Sequence, residues 1–181
     1  IYCQNYREVF NKKSQNFKLQ KIQPSLILAK KKGNILNKIP EKYCIGSKQN
    51  YYFSHMLNCI YDCRYCFLQG MFNSANYVVF INYRDFFNEI KKIAKLTDES
   101  IHIFSGYDCD SLALEPITNF FSICMEKLSI PKNILIELRT KSTQINFLMK
   151  RKPSRNYLIA FTLNPEDIVS EYECKTPSLY K

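Results

Sequence analysis

From residue 51 onward, β-prone runs alternate with amphipathic segments, and this alternation restricts the fold more than any other feature of the chain. Residues 51–57 (YYFSHML) form an aromatic β-prone run, and residues 77–81 (YVVFI) form a second. Residues 83–96 place Phe86, Phe87, Ile90, Ile93 and Ala94 on one helical face. Strand-like runs recur at 101–104, 134–138 and 157–163, each followed by a segment of helical pattern. In the first of these segments, 112–128, Leu112, Ile117, Phe120, Phe121 and Met125 form the expected core side. Ser142 is expected to cap a short helix over 142–149, and Asn164-Pro165 to open another. Such spacing predicts parallel strands joined by crossover helices, an α/β sheet or barrel. Only about four core strands are expected, too few to close a barrel, and a new helix is expected to begin at Ser178. The chain is therefore read as a partial (β/α) barrel, the piece of a longer polypeptide, with its C-terminal strands missing. Its first residue, Ile1, is not Met, so the native start is expected upstream.

Residues 1–50 are different in kind. They hold eleven Lys/Arg against Glu8 and Glu41, a net +9 within a chain whose total is +10. This predicts a basic N-terminal segment, with a short strand near residues 25–29, packing on the barrel portion at 51–181. A basic front end can meet a polyanion such as nucleic acid, or can simply be a solvated lysine-rich surface. No apolar run approaches the roughly 18–20 residues of a membrane helix, and residues 1–21 lack the apolar stretch of a signal peptide. A cytoplasmic protein with no membrane partner is expected.

Eight cysteines are present, and three fall within eight residues: Cys59-x3-Cys63-x2-Cys66. Without a secretory signal, clustered thiols read as metal ligands rather than a disulfide framework. Three thiolates on one loop can hold three corners of an iron–sulfur cube, which normally takes four protein ligands. The fourth iron is then open and can chelate the amino and carboxylate groups of S-adenosylmethionine. A zinc knuckle is the alternative, but zinc sites usually pair two short motifs, and no second one exists here. The only histidines are His55, expected in a strand, and His102, expected in the core or lining a barrel.

The segment from Cys59 to Gly70 resembles the signature of the radical S-adenosylmethionine superfamily, and the wider chain resembles the spore photoproduct lyase family. The resembling pieces are Val9-Phe-Asn, Gln15-Asn-Phe-Lys-Leu-Gln20, Leu26-Ile-Leu-Ala-Lys-Lys, Ser105-Gly106, Asp110-Ser-Leu-Ala-Leu-Glu115, Leu138-Arg-Thr-Lys-Ser142 and Thr176-Pro-Ser-Leu179. The resemblance implies that Cys59, Cys63 and Cys66 hold a [4Fe-4S] cluster and that Tyr65 packs near the adenine or the cluster edge. It implies that Ser105 and Gly106 border the methionine part of the cofactor, that Lys141 pairs with its carboxylate, and that Asn164 is a further cofactor contact. It also implies a carbon–carbon lyase: a 5′-deoxyadenosyl radical takes hydrogen from a thymine-dimer-type DNA lesion, with a flavodoxin or ferredoxin supplying electrons.

Two positions bear on the last step. The lyases use one more cysteine to return a hydrogen atom to the product, and Cys109 lies in the corresponding region. They also carry a tyrosine directly after the last cluster cysteine, where this chain has Phe67. A phenyl ring has no phenolic O–H to relay a hydrogen atom, which leaves open a radical enzyme acting on another substrate. A non-catalytic metal-bearing nucleic-acid-binding module is the remaining alternative. Cys3, Cys44, Cys124 and Cys174 read as buried or incidental thiols.

Overall fold

A computed structural model describes residues 2–180, an α/β arrangement of two sheets and short helices. The N-terminal region contributes α1 (Arg7–Phe10), α2 (Phe17–Ile22), β1 (Leu26–Ala29) and β2 (Asn37–Lys38). Then follow β3 (Gln49–Phe53), β4 (Met56–Leu57), α3 (Leu68–Met71), β5 (Tyr77–Phe80), α4 (Tyr83–Ala94) and β6 (Ile101–Ser105). The chain continues through α5 (Glu115–Thr118), α6 (Phe120–Lys127), β7 (Ile134–Thr140), α7 (Asn146–Met149), β8 (Tyr157–Phe161) and α8 (Glu166–Tyr172).

The larger sheet has the order β2-β3-β6-β7-β8. Strands β3, β6, β7 and β8 run parallel, and β2 pairs antiparallel with β3. One face of this sheet is apolar: Ile101 and Ile103 of β6 and Ile134, Ile136 and Leu138 of β7 pack with Phe86, Phe87, Phe120 and Phe121. Phe86, Phe120 and Phe121 are fully buried, and each contributes roughly 2–3 kcal/mol through the apolar surface it removes from water. The other face of the same strands carries Phe104, Glu137 and Arg139, which line a cavity. Alternation along the strands thus separates a helix-covered core from a polar hollow.

The expected strand at 77–81 exists as β5, but it lies outside the parallel run. It forms a second sheet of order β1-β5-β4, parallel to β1 and antiparallel to β4. The β-prone run at 51–57 is likewise divided between the two sheets. After Phe53 the chain crosses over at Ser54 and His55, and the His55 carbonyl accepts the Phe80 N–H at 3.0 Å. His55 is thus buried between strands rather than within one.

The helix expected over 112–128 is two helices. Asn119 adopts a left-handed conformation (φ 48°), and the buried Glu115 carboxylate accepts the Phe121 and Ser122 N–H groups that the new helix start leaves free. The break shifts the helical phase and turns Ile117 outward, 64% exposed, so Ile117 is not a core residue. Ser142 does not cap a helix over 142–149 either. Its hydroxyl accepts the Gln144 N–H in a local turn, and only α7 is helical. At the other end of the chain residues 179–180 form a turn, while Ile1 and Lys181, on which two of the expectations about chain ends fall, lie outside the described residues. Among the described residues no helix is long and apolar enough to cross a membrane.

Candidate active site

The cysteine loop leaves β4 through Asn58, a non-glycine residue at φ 65°. Its side-chain amide donates to the Ser74 and Asn76 carbonyls at 2.7 and 2.8 Å, which holds this conformation in place. Further on, the Cys66 N–H donates to the Cys63 carbonyl, and the Arg64 N–H to the Tyr172 carbonyl. Lys21 of the basic segment reaches Asp62 and Gln69 on the same loop, at 2.5 and 2.7 Å. Cys63 is buried, and Cys59 and Cys66 are half-buried.

All three cluster cysteines line one cavity of about 940 Å³ at the C-terminal ends of β3, β6 and β7. Parallel α/β sheets place their ligand sites at that end, where loops converge. Burial pushes the Cys59 thiol up to about 12 and the Cys63 thiol up to about 11, and a bound cation would favour their thiolate forms. Among the described residues no three His, Cys, Asp or Glu groups converge on a single-ion site. The three thiols border one shared cavity, which fits a polynuclear group held by separate thiolates.

The opposite wall comes from the loop after β6. Ser105 is buried, shares a hydrogen bond with Ser111 at 2.7 Å and donates to the Glu137 carbonyl at 2.8 Å. Gly106 has φ 72°, and an added Cβ would meet the Ser111 hydroxyl at 2.6 Å and the Cys109 carbonyl at 2.9 Å. The close approach that requires glycine here is therefore to its own loop. Cys109 faces the cavity and packs with Met56 and Val79; burial drives its thiol well above the usual range.

Asp110 organises this corner. One carboxylate oxygen accepts Thr140 Oγ1 and the Leu112 and Ala113 N–H groups, and the other accepts the Lys141 N–H at 2.7 Å. Burial raises its pKa, and those four bonds oppose the rise.

Lys141, Tyr65 and Asn164 meet at a single point. Lys141 Nζ donates to Glu173 Oε1 at 2.8 Å and to the Thr162 carbonyl at 3.0 Å. Tyr65 Oη and Asn164 Nδ2 donate to the same Glu173 oxygen, and Asn164 also donates to Tyr65 Oη at 2.8 Å. Burial alone would raise the Glu173 pKa; the bonds from Lys141, Tyr65 and Asn164 outweigh it and hold the carboxyl below the ordinary value.

On the cavity floor, Glu137 accepts two bonds from Arg139 at 3.0 and 2.6 Å, and His102 Nε2 lies 3.2 Å from its other oxygen. Phe67 stands on the rim with Tyr107, ring centroids 5.8 Å apart, and Tyr107 contacts Tyr52 at 4.5 Å. Sequence reasoning did not single out Glu173, Glu137, Arg139 or Tyr107. Nothing in the local pattern marks Glu173, an acidic residue in an acidic stretch; Asp110 and Arg139 lie within the resembling segments and could have been flagged there. His55 lies apart from the cavity, stacked on Phe120 with ring centroids 4.5 Å apart.

The family model described as spore photoproduct lyase matches residues 46–181. The comparison with curated proteins gave no match. Among solved structures, a cysteine-to-serine variant of spore photoproduct lyase superposes with a TM-score of 0.73 at 16% identity, covering 86% of this chain and 44% of that one. Spore photoproduct lyase complexed with dinucleoside spore photoproduct gives the same values, 0.73, 16%, 86% and 44%. A doubly substituted lyase with bound AdoMet and dinucleoside spore photoproduct gives 0.66 at 18% identity, covering 72% and 39%. The chain thus spans less than half the length of these structures, and at such identities the likeness is one of fold.

Proposed function

Because this chain belongs to the spore photoproduct lyase family, we propose that residues 51–181 form the N-terminal part of a radical S-adenosylmethionine (β/α) barrel, with residues 1–50 packed on it as a basic segment. The protein of which it is part is proposed to be a cytoplasmic carbon–carbon lyase acting on thymine-dimer-type lesions in DNA. The observation that carries this reading is the convergence of Cys59, Cys63, Cys66, Cys109 and Lys141 on one cavity.

Cys59, Cys63 and Cys66 would hold a [4Fe-4S] cluster, reduced by a flavodoxin- or ferredoxin-type donor. When bound, the cluster and S-adenosylmethionine would supply the radical chemistry needed to take hydrogen from the lesion. Lys141, Tyr65 and Asn164, which hold Glu173 here, would supply three donors for the cofactor's carboxylate, and the loop of Ser105 and Gly106 would border its methionine part. Cys109 is buried and held as a neutral thiol, the form that donates a hydrogen atom, because an S–H bond is weaker than the C–H bond it makes. Lys38 and Arg139, the latter paired with Glu137, also line the cavity and would offer donors to a phosphate-bearing substrate. A lesion inside a duplex would have to be flipped out, at a cost of a few kcal/mol.

A second reading, radical chemistry on a different substrate, is favoured by Phe67 at the cavity rim, which offers no O–H beside the last cluster cysteine. Anaerobic incubation of the reduced, reconstituted full-length protein with S-adenosylmethionine separates these readings. 5′-Deoxyadenosine together with loss of thymine lesions from irradiated DNA is expected. 5′-Deoxyadenosine without lesion loss selects the second reading, and absence of 5′-deoxyadenosine overturns both.

A further inference from the structure

Three donors on three separate elements point at one carboxylate oxygen. Tyr65 comes from the cysteine loop, Lys141 from the end of β7 and Asn164 from the loop after β8, and all three donate to Glu173 Oε1. The second oxygen receives only Thr176 Oγ1, at 3.1 Å. Such a constellation is a receptor for a carboxylate, built from a cation, a phenol and an amide.

We infer that Glu173 is the built-in occupant of this receptor, and that a ligand carboxylate enters by displacing it. This rests on the reading above, in which the ligand is S-adenosylmethionine. Lys141 Nζ already serves Glu173 and the Thr162 carbonyl, and its side chain is only 13% exposed. A second carboxylate added beside Glu173 would set two like charges against one ammonium in a poorly hydrated place, which is unfavourable. One carboxylate must leave.

The segment that carries Glu173 is suited to leaving. Helix α8 has one buried residue, Val169, and Glu173, just beyond its end, is buried by the three donors it would leave to the ligand. Its end is tied to the cysteine loop by an isolated bridge between Glu173 and Cys63 and by the Arg64 N–H to Tyr172 carbonyl bond at 2.8 Å. Few buried contacts and few backbone links characterise segments that open locally at low cost. Exchange of Glu173 for a ligand carboxylate would therefore couple cofactor entry to the position of α8 and to the loop that bears Cys63. It would also bias the site towards ligands that retain a carboxylate, since a ligand without one leaves Glu173 in place.

The test compares wild-type and Glu173→Gln full-length, anaerobically reconstituted protein, measuring dissociation constants for two probes. S-adenosylmethionine carries the carboxylate; 5′-methylthioadenosine keeps the nucleoside and lacks it. Glu173→Gln is expected to bind S-adenosylmethionine about tenfold more tightly, because a neutral amide holds the three donors less strongly than a carboxylate and is displaced at lower cost, while 5′-methylthioadenosine binding stays unchanged. In the wild type, amide hydrogen exchange over residues 166–173 is expected to accelerate when S-adenosylmethionine binds, a readout that needs no variant. Unchanged or weaker S-adenosylmethionine binding by Glu173→Gln, tightening of both probes alike, or slower exchange on binding would each overturn the displacement. Failure of the wild type and the variant to bind S-adenosylmethionine at all would instead overturn the functional reading, and the inference with it.

Discussion

Thr140 donates its hydroxyl to the Asp110 carboxylate at 2.7 Å, joining the loop after β6 to the end of β7 at the mouth of the cavity. The same carboxylate holds the N–H groups of Leu112, Ala113 and Lys141, so one side chain sets the spacing between the Cys109 loop and Lys141. Replacing it leaves four donors without this acceptor, three of them buried. Asp110→Ala is expected to lower stability by about 3 kcal/mol, read as a reduced midpoint in urea, with Asp110→Asn falling between the two.

Gly106→Ala tests the tight turn that leads into Cys109. The positive φ alone costs about 1–3 kcal/mol for a residue bearing a Cβ, and the contact with the Cys109 carbonyl can be relieved only by moving backbone. Lower thermal stability and slower cofactor cleavage are expected together. A variant with wild-type values for both would show that the loop relaxes freely.

His55 predicts an acid-sensitive core. Both ring nitrogens are buried without hydrogen-bond partners among the described residues, and the ring contacts Phe53, Phe120 and Phe121. Burial drives its pKa from 6.5 down to about 3. The unfolded state therefore takes up the proton first, and stability present above pH 6.5 is lost as the pH falls toward 3. The expected contribution is roughly 1.4 kcal/mol per pH unit across that window. His55→Leu should flatten this part of the profile in urea titrations while retaining stability at pH 7.

Cys59→Ala, Cys63→Ala and Cys66→Ala should each lose iron and all cofactor cleavage. Iron analysis and a 5′-deoxyadenosine assay after reconstitution check this. Any one variant with full iron and normal cleavage would remove the cluster assignment.

Cys109→Ala should behave differently from those three. Iron content and cofactor cleavage are expected to persist, while repaired product falls and misrouted adducts of the substrate radical accumulate. Normal product at a normal rate would return Cys109 to the role suggested by its packing with Met56 and Val79, a small core residue.

The local order of elements was legible in the sequence where periodicity is strong. Phe86, Phe87, Ile90 and Ala94 reveal α4 because a 3.6-residue apolar period places them on one buried face, and the apolar runs at 101–104 and 134–138 reveal β6 and β7. The break at Asn119 was not legible, since it depends on the buried Glu115 carboxylate satisfying a helix start several residues away. Nor was the division of residues 51–57, because a β-prone run does not say which partner each half will pair with.

The same boundary runs through the site. Cys59, Cys63 and Cys66 stand out by spacing as candidate ligands, because thiols close in sequence on one loop can reach a shared group. Family membership, too, is written in motifs that chain order preserves. Only the tertiary structure joined Tyr65, Lys141 and Asn164 on Glu173, a meeting of four residues from three segments distant in sequence. Hydrogen bonds and ion pairs depend on distances of about 3 Å, and such distances between distant segments exist only once the strands have paired and the helices have closed over them.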